Sequence, residues 1–79
     1  MVNKVILVGR LTKDPEIKST AAGISVLNFT VAVTRKYKDQ NGERQSDFIN
    51  CVAFRNTADF ISKYFHKGNM ISIDGAIQT

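Results

Sequence analysis

Residues 47–54 read Asp47-Phe48-Ile49-Asn50-Cys51-Val52-Ala53-Phe54, and both alternating faces of this stretch are largely apolar. The odd positions Ile49, Cys51 and Ala53 form a compact aliphatic set. The even positions carry Phe48, Val52 and Phe54 around Asn50. Eight residues of this kind make a strand, and one of its faces must meet a core. Two readings are open at this point. Either the aliphatic set faces inward and holds Phe48 and Phe54 outward, roughly 20 Å apart along the strand, or Phe48, Val52 and Phe54 are themselves the core.

Working outward from it, the strand spans Gln45 to Arg55, and the chain before it pairs with it. From Ile24 to Tyr37, Leu27, Phe29, Val31 and Val33 alternate with Asn28, Thr30, Ala32 and Thr34. Beyond Val33 the same face carries Arg35 and Tyr37, so the strand pair is expected to outrun the core as a finger. Asn41-Gly42 closes it, both residues accepting the positive φ of a tight hairpin turn. Upstream, Thr12 to Gly23 reads as a connection, with a turn at Asp14-Pro15. The first strand, Val2 to Leu11, sets Val5, Leu7 and Leu11 on one face and Lys4, Ile6, Val8 and Arg10 on the other.

Downstream, Asn56 or Thr57 is placed to cap a helix, with Asp59 in its first turn. Ala58, Ile61 and Phe65 share one helical face, and Phe29, Phe60 and Phe65 are assigned to the core. Lys63, His66 and Lys67 suit the negative end of the dipole, and Gly68 is the expected stop. Met70 to Thr79 reads as a fourth strand, with Ile71, Ile73 and Ile77 in alternation and a bulge or bend at Gly75. Three strands, a helix and a strand is the order of an OB-fold barrel, all-β with one helix, its fifth strand expected to be lacking in this chain. Residues 1–79 are expected to make one such domain, incomplete at its C-terminus.

The 79 residues carry a net charge of +4, unevenly spread. Residues 1–38 hold seven lysines and arginines against Asp14 and Glu16, a net +5, and residues 39–79 are net −1. A basic half suits a polyanionic partner, although a lysine-rich soluble surface has the same composition. Single-stranded nucleic acid is gripped by aromatic rings on which bases stack, flanked by cations that follow the phosphates. Tyr37, Phe48 and Phe54 are the candidate rings. Arg10, Arg35, Lys36, Lys38 and Arg55 are the candidate phosphate contacts.

Other chemistries find little support. Cys51 is the only cysteine and His66 the only histidine, so no disulfide, no Cys/His metal set and no cofactor are expected. Asp14 and Glu16 flank a proline turn and read as turn formers. There is no Gly-rich phosphate loop and no Ser/His/Asp set, so the chain is not read as an enzyme. Val5-Ile6-Leu7-Val8 is too short for a signal-peptide core, so no membrane is expected and a cytoplasmic place is. A domain this small has a marginal core. Lys4, Ile6 and Val8 on the second face of the first strand are therefore assigned to a subunit interface.

Together, Asn3-Lys4-Val5-Ile6-Leu7-Val8-Gly9-Arg10-Leu11, Asp14-Pro15-Glu16, Asp47 to Phe54, and Lys67-Gly68 resemble the bacterial single-stranded-DNA-binding proteins over essentially the whole chain. The resemblance implies an OB-fold homotetramer that coats and protects single-stranded DNA in replication, recombination and repair, without regard to base sequence and in association with the nucleoid. It places base-stacking aromatics at Tyr37, Phe48 and Phe54, which turns Phe48 and Phe54 outward. It also implies a further hairpin, a fifth strand and an acidic partner-recruiting tail beyond Thr79, all absent from this chain. The alternatives are an RNA-binding cold-shock-like OB domain and an OB-fold protein-interaction module that binds no DNA.

Overall fold

In the computed structural model, residues 3–77 are described. The elements are β1 (Val5–Leu11), β2 (Glu16–Ser19), β3 (Ser25–Lys38), β4 (Arg44–Phe54), α1 (Arg55–Tyr64) and β5 (Met70–Gly75). The 14-residue β3 organises them. Its one edge pairs antiparallel with β4, from Val26 opposite Phe54 to Thr34 opposite Ser46. Its other edge is shared. β2 lies along Ser25–Asn28, and β1 meets it at Ala32 and Val31 through Arg10 and Leu11. β5 then runs along the far edge of β1, from Val5 opposite Gly75 to Arg10 opposite Met70.

The connection predicted over residues 12–23 thus contains a strand. β2 is only four residues long and exposed throughout. No apolar alternation marks it, and it is held chiefly by its ladder with β3, with α1 also against it. Five strands lie among the described residues, yet they do not close into a barrel. Among the described residues the outer edges of β4 and β5 have no partner. Between them lies a cleft of about 720 Å³ lined by Val5, Leu7, Phe29, Ile49, Cys51 and Ile73, with other residues of β4, α1 and β5.

The core is small. Leu11, Leu27, Phe29, Val31, Ala53, Ala58, Ile61 and Ile71 are buried, and Val33, Cys51, Phe65 and Ile73 pack against them. Each fully buried Leu or Val contributes about 1.5–3 kcal/mol, so loss of any one of them is felt across the domain. β1 crosses β3 at Gly9, where a Cβ would strike the carbonyl of Ala32 and come within 2.7 Å of Val31 Cγ1. The sequence sets a glycine where two backbones must touch.

α1 departs from its expected start. Phe54, extended, stands at the N-cap position without a side-chain cap, and no acid lies in the first turn. Asn56, Thr57 and Asp59 therefore do not have the capping roles expected of them. β4 runs straight into the helix through Arg55, the only non-glycine described residue with a positive φ, at 57°. That left-handed corner leaves no residue between strand and helix to serve as a cap. Ala58 and Ile61 are buried as expected, and Phe65 is the C-cap residue. Phe60 is not in the core. It is 55% exposed, because at helical spacing it falls on the side away from Ala58 and Ile61. β5 ends at Gly75, so Ile77 lies beyond the strand and is exposed. Its backbone is instead clasped by Asn3, whose Nδ2 donates to Ile77 O and whose Oδ1 accepts from Ile77 N. Gln78 and Thr79, assigned above to that strand, and Val2 of the first strand lie outside the described residues.

The finger is present. The radius of gyration is 14.2 Å against about 12 Å for a sphere-like chain of this length. Upper β3 and lower β4 project beyond the core. At the tip, Gly42 N donates to Asp39 O and Asp39 N to Glu43 O, with Gly42 at φ 78°. This is a turn followed by a glycine bulge, so one positive φ suffices and Asn41 does not adopt one. No helix among the described residues is long and apolar enough to cross a membrane.

Candidate nucleic-acid interface

Cross-strand partners share a face of the sheet, so the pairings define the outer surface row by row. One row runs Met70, Arg10, Ala32, Phe48 across β5, β1, β3 and β4. Phe48 is 67% exposed and Phe54 55%, with Val52 exposed between them. Ala53 is buried and Cys51 packs on the core. Of the two readings of residues 47–54, the structure has Cys51 and Ala53 on the core, Ile49 on the same face but 36% exposed, and both rings outward. Between the rings, Thr30 Oγ1 donates to Asn50 Oδ1 at 3.0 Å, a neutral polar link on the same face.

The first-strand residues fall on this surface too. Ile6 and Val8 are exposed and sit opposite Asp74 and Ser72 of β5. Lys4 Nζ lies 3.2 Å from an Asp74 carboxylate oxygen. The outer face therefore has an aliphatic half on β1 and β5 and an aromatic half on β4. The residues proposed for subunit contact and those proposed for bases occupy different strands of one sheet.

The candidate cations differ in how free they are. Arg10 Nη1 donates to Gly68 O at 2.8 Å, which ties the turn after α1 to β1. Arg35 donates from Nε and Nη2 to both carboxylate oxygens of Asp47. That hydrogen bonding, and then the opposite charge, holds the Asp47 carboxyl below the usual carboxylate range and raises the Arg35 guanidinium above its ordinary value. Lys36, Lys38 and Arg55 are exposed. Tyr37, 79% exposed, lies past the irregularity between Thr34 and Lys38. There the alternation of the ladder is broken, so its face does not follow from that of Phe48.

Sequence reasoning passed over Arg44. It stands directly opposite Lys38 in the ladder, and like charges so placed destabilise a hairpin. The finger tip offsets this through Asp39. Its carboxylate accepts from Asn41 N, Glu43 N and Gln45 Nε2 at 2.8–3.0 Å. This acid, next to Lys38 in the chain, is thus committed to the turn, and its pKa is lowered by those bonds, Glu43 N–H foremost. The spacing of Lys38 and Arg44 about Asn41-Gly42 was the available signal. Cys51 has its Sγ 3.6 Å from Ile49 O, and burial pushes its thiol up, away from a reactive thiolate. Asp14 accepts from Lys67 N at 2.8 Å, a structural tie across the barrel end.

An open, curved sheet with aromatics and cations on its outer face narrows the choice of family, and comparison with known proteins decides it. The model of the single-strand binding protein family matches residues 2–79. The chain belongs to the single-strand binding protein family. Single-stranded DNA-binding protein 2 of Listeria monocytogenes is 52% identical over 79 residues, all of this chain and 49% of that relative. Single-stranded DNA-binding protein 1 of Staphylococcus aureus is likewise 52% identical, with 47% of its length covered. The Enterococcus faecalis single-stranded DNA-binding protein is 51% identical, with 42% covered. The chain spans about half the length of the curated relatives it matches. Membership confirms the OB-type fold expected from the strand order, and the family is a binding family, not a catalytic one.

Proposed function

We propose that this chain binds single-stranded DNA without regard to base sequence, by stacking bases on the outer face of β4 and holding phosphates with the cations around it. One observation carries the reading: Phe48 and Phe54 stand exposed on one strand whose other face supplies the core. Exposed aromatics at this spacing, with cations beside them, form a stacking platform that accepts any base, because every base has a π-face. Tyr37 adds a ring on the finger. Arg10, Lys36, Lys38, Arg44 and Arg55 supply phosphate contacts, and Arg35 joins them by exchanging Asp47 for phosphate.

By the same reading the working form is a homotetramer. Ile6, Val8 and Met70 on the aliphatic half of the sheet are the surface for it, with the Lys4–Asp74 ion pair at its margin. The names of the relatives support single-stranded DNA as the ligand, and replication, recombination and repair, on DNA inside the cell, are the setting. Light scattering at micromolar concentration checks the assembly, since a well-folded monomer there removes it.

Titration of labelled oligo-dT and oligo-U at two salt concentrations tests the binding. Oligo-dT should bind, and log K should fall with log salt at about −0.7 per phosphate neutralised. A marked preference for oligo-U would make the chain an RNA-binding domain. Absence of binding to either would make it a protein-interaction module.

A further inference from the structure

The core stripe of α1 is Ala58 and Ile61, with Phe65 following at the C-cap. Phe60 lies about 200° round the helix from Ala58 at 100° per residue, and Tyr64 is one turn further on the same outward side. Both rings are more than half exposed, at 55% and 57%. Their centroids are 5.0 Å apart, tilted by 51°, and Lys63 Nζ stands 5.3 Å from the centroid of the Tyr64 ring. Phe60 also meets Phe65 at the margin of the core, centroids 6.1 Å apart and tilted by 57°, but neither ring is buried in it. An i, i+4 aromatic pair adds only a little to a helix, so the fold does not account for two exposed rings here.

The charge around them is mainly positive. Residues 55–69 hold Arg55, Lys63 and Lys67 together with His66, and Asp59 is the only acid in that stretch. A pair of π-faces with a cation over one of them is the same chemistry as the β4 surface. It is also continuous with that surface along the chain, because α1 begins immediately after Phe54. At 1.5 Å per residue, Phe60 lies about 9 Å and Tyr64 about 15 Å along the helix from Phe54.

We infer that α1 carries a second stacking platform, Phe60 and Tyr64 with Lys63, that takes the bases of a single strand after it leaves Phe54. The inference rests on the binding proposed above and extends it to a longer strand. Its occupant is single-stranded DNA, since the rings offer stacking and the rim offers phosphate contacts. An acidic protein surface is the competing occupant.

The sequence provides a clean reporter, because it contains no tryptophan and only two tyrosines, Tyr37 and Tyr64. In Tyr37→Phe the tyrosine emission comes from Tyr64 alone. Oligo-dT of about 4 and about 16 nucleotides, the ends of the range one OB domain occupies, is then titrated against it. The longer oligomer should quench Tyr64 and the shorter should not. Adding Phe60→Ala should weaken the longer oligomer by at least about fivefold, leave the shorter one unchanged, and lower the thermal melt only slightly, through the lost contact with Phe65. If the longer oligomer binds by anisotropy while Tyr64 emission and the Phe60→Ala affinity stay as they were, the α1 platform does not exist and the β4 site stands. If polyglutamate quenches Tyr64 and DNA does not, the patch is a protein-docking surface. If neither oligomer changes anisotropy, the binding proposal itself has failed.

Discussion

Arg35 holds Asp47 in a two-point grip, Nε and Nη2 lying 3.0 and 2.9 Å from its two carboxylate oxygens. The two residues come from neighbouring strands of the finger, Arg35 exposed and Asp47 half-exposed. An exposed ion pair contributes little to stability, whereas a phosphate offers the same fork an equivalent pair of oxygens. Asp47 therefore competes with DNA for Arg35. Asp47→Asn should tighten oligo-dT binding several-fold with the log–log salt slope little changed, because Arg35 meets a phosphate in both complexes. Unchanged affinity in that variant would remove Arg35 from the phosphate contacts.

Two carboxylates shape the response of the finger to acid. Asp47 is lowered by the hydrogen bond and charge of Arg35, and Asp39 by the N–H of Glu43, the side chain of Gln45 and the N–H of Asn41. A carboxyl whose folded pKa is depressed stabilises the fold above its unfolded pKa, and that contribution is lost as pH falls through the folded value. The finger should hold unchanged through neutral pH and loosen below about pH 4. Amide exchange at Asn41 and Glu43 measures this. Asp39→Asn should remove most of the acid response at the tip, and a tip that exchanges equally fast at pH 3 and pH 6, after correction for intrinsic rates, would contradict it.

Phe29 and the β4 rings should separate folding from binding. Phe29 is buried, and Phe29→Ala should cost about 3–5 kcal/mol of stability. Phe48→Ala and Phe54→Ala should leave the melt nearly in place and each weaken oligo-dT binding by about 1–3 kcal/mol. A Phe48→Ala protein that melts early and, kept cold, binds normally would reverse the roles.

Much of this was legible in residues 24–55. Strict alternation from Leu27 to Val33 marks a strand with one buried face, and Ile49-Cys51-Ala53 marks its partner. What pattern could not reach has physical causes. β2 is held chiefly by its ladder with β3, and all four of its residues stay exposed, so no buried side marks it. The corner at Arg55 is a backbone conformation, invisible in residue type because arginine rarely adopts it. Phe60 was assigned inward by hydrophobicity, yet a ten-residue helix on so small a core has room for one narrow stripe, already filled by Ala58 and Ile61. For the site, the outward rings were visible as a parity, while the capture of Arg35 by Asp47 and the facing of Lys38 and Arg44 depend on cross-strand register.

The close approach of β1 to β3 at Gly9 is testable by one methyl group. Gly9→Ala directs a Cβ against Ala32 O and Val31 Cγ1. A backbone carbonyl cannot move aside as a side-chain tip can, so β1 must shift away from β3. The expected loss is about 1–3 kcal/mol, read from denaturant melts. A neutral Gly9→Ala would mean that β1 and β3 are less closely apposed than described.

The cleft between β4 and β5 leads to the last expectation. Val5, Leu7, Ile49, Cys51 and Ile73 line it, all core-facing residues that remain partly or largely exposed. Both flanking strands present unpaired N–H and C=O groups there, the arrangement that accepts an added strand. An added strand with apolar residues at alternate positions would satisfy both edges and cover those side chains. Covering the equivalent of two Val or Ile side chains contributes about 3 kcal/mol or more. For a domain of this size that is a rise in Tm on the order of 10 °C. A version lengthened beyond Thr79 by a hairpin and such a strand should therefore melt higher than the 79-residue chain. Cys51 supplies an independent readout, since its thiol lies in the cleft. Its reaction with a thiol reagent should slow sharply in the longer version if the strand has entered. Were the melting temperature to rise with no protection of Cys51, the added segment would be stabilising from another surface. Were neither to change, the cleft would not be a strand site, and the barrel of this chain would function open.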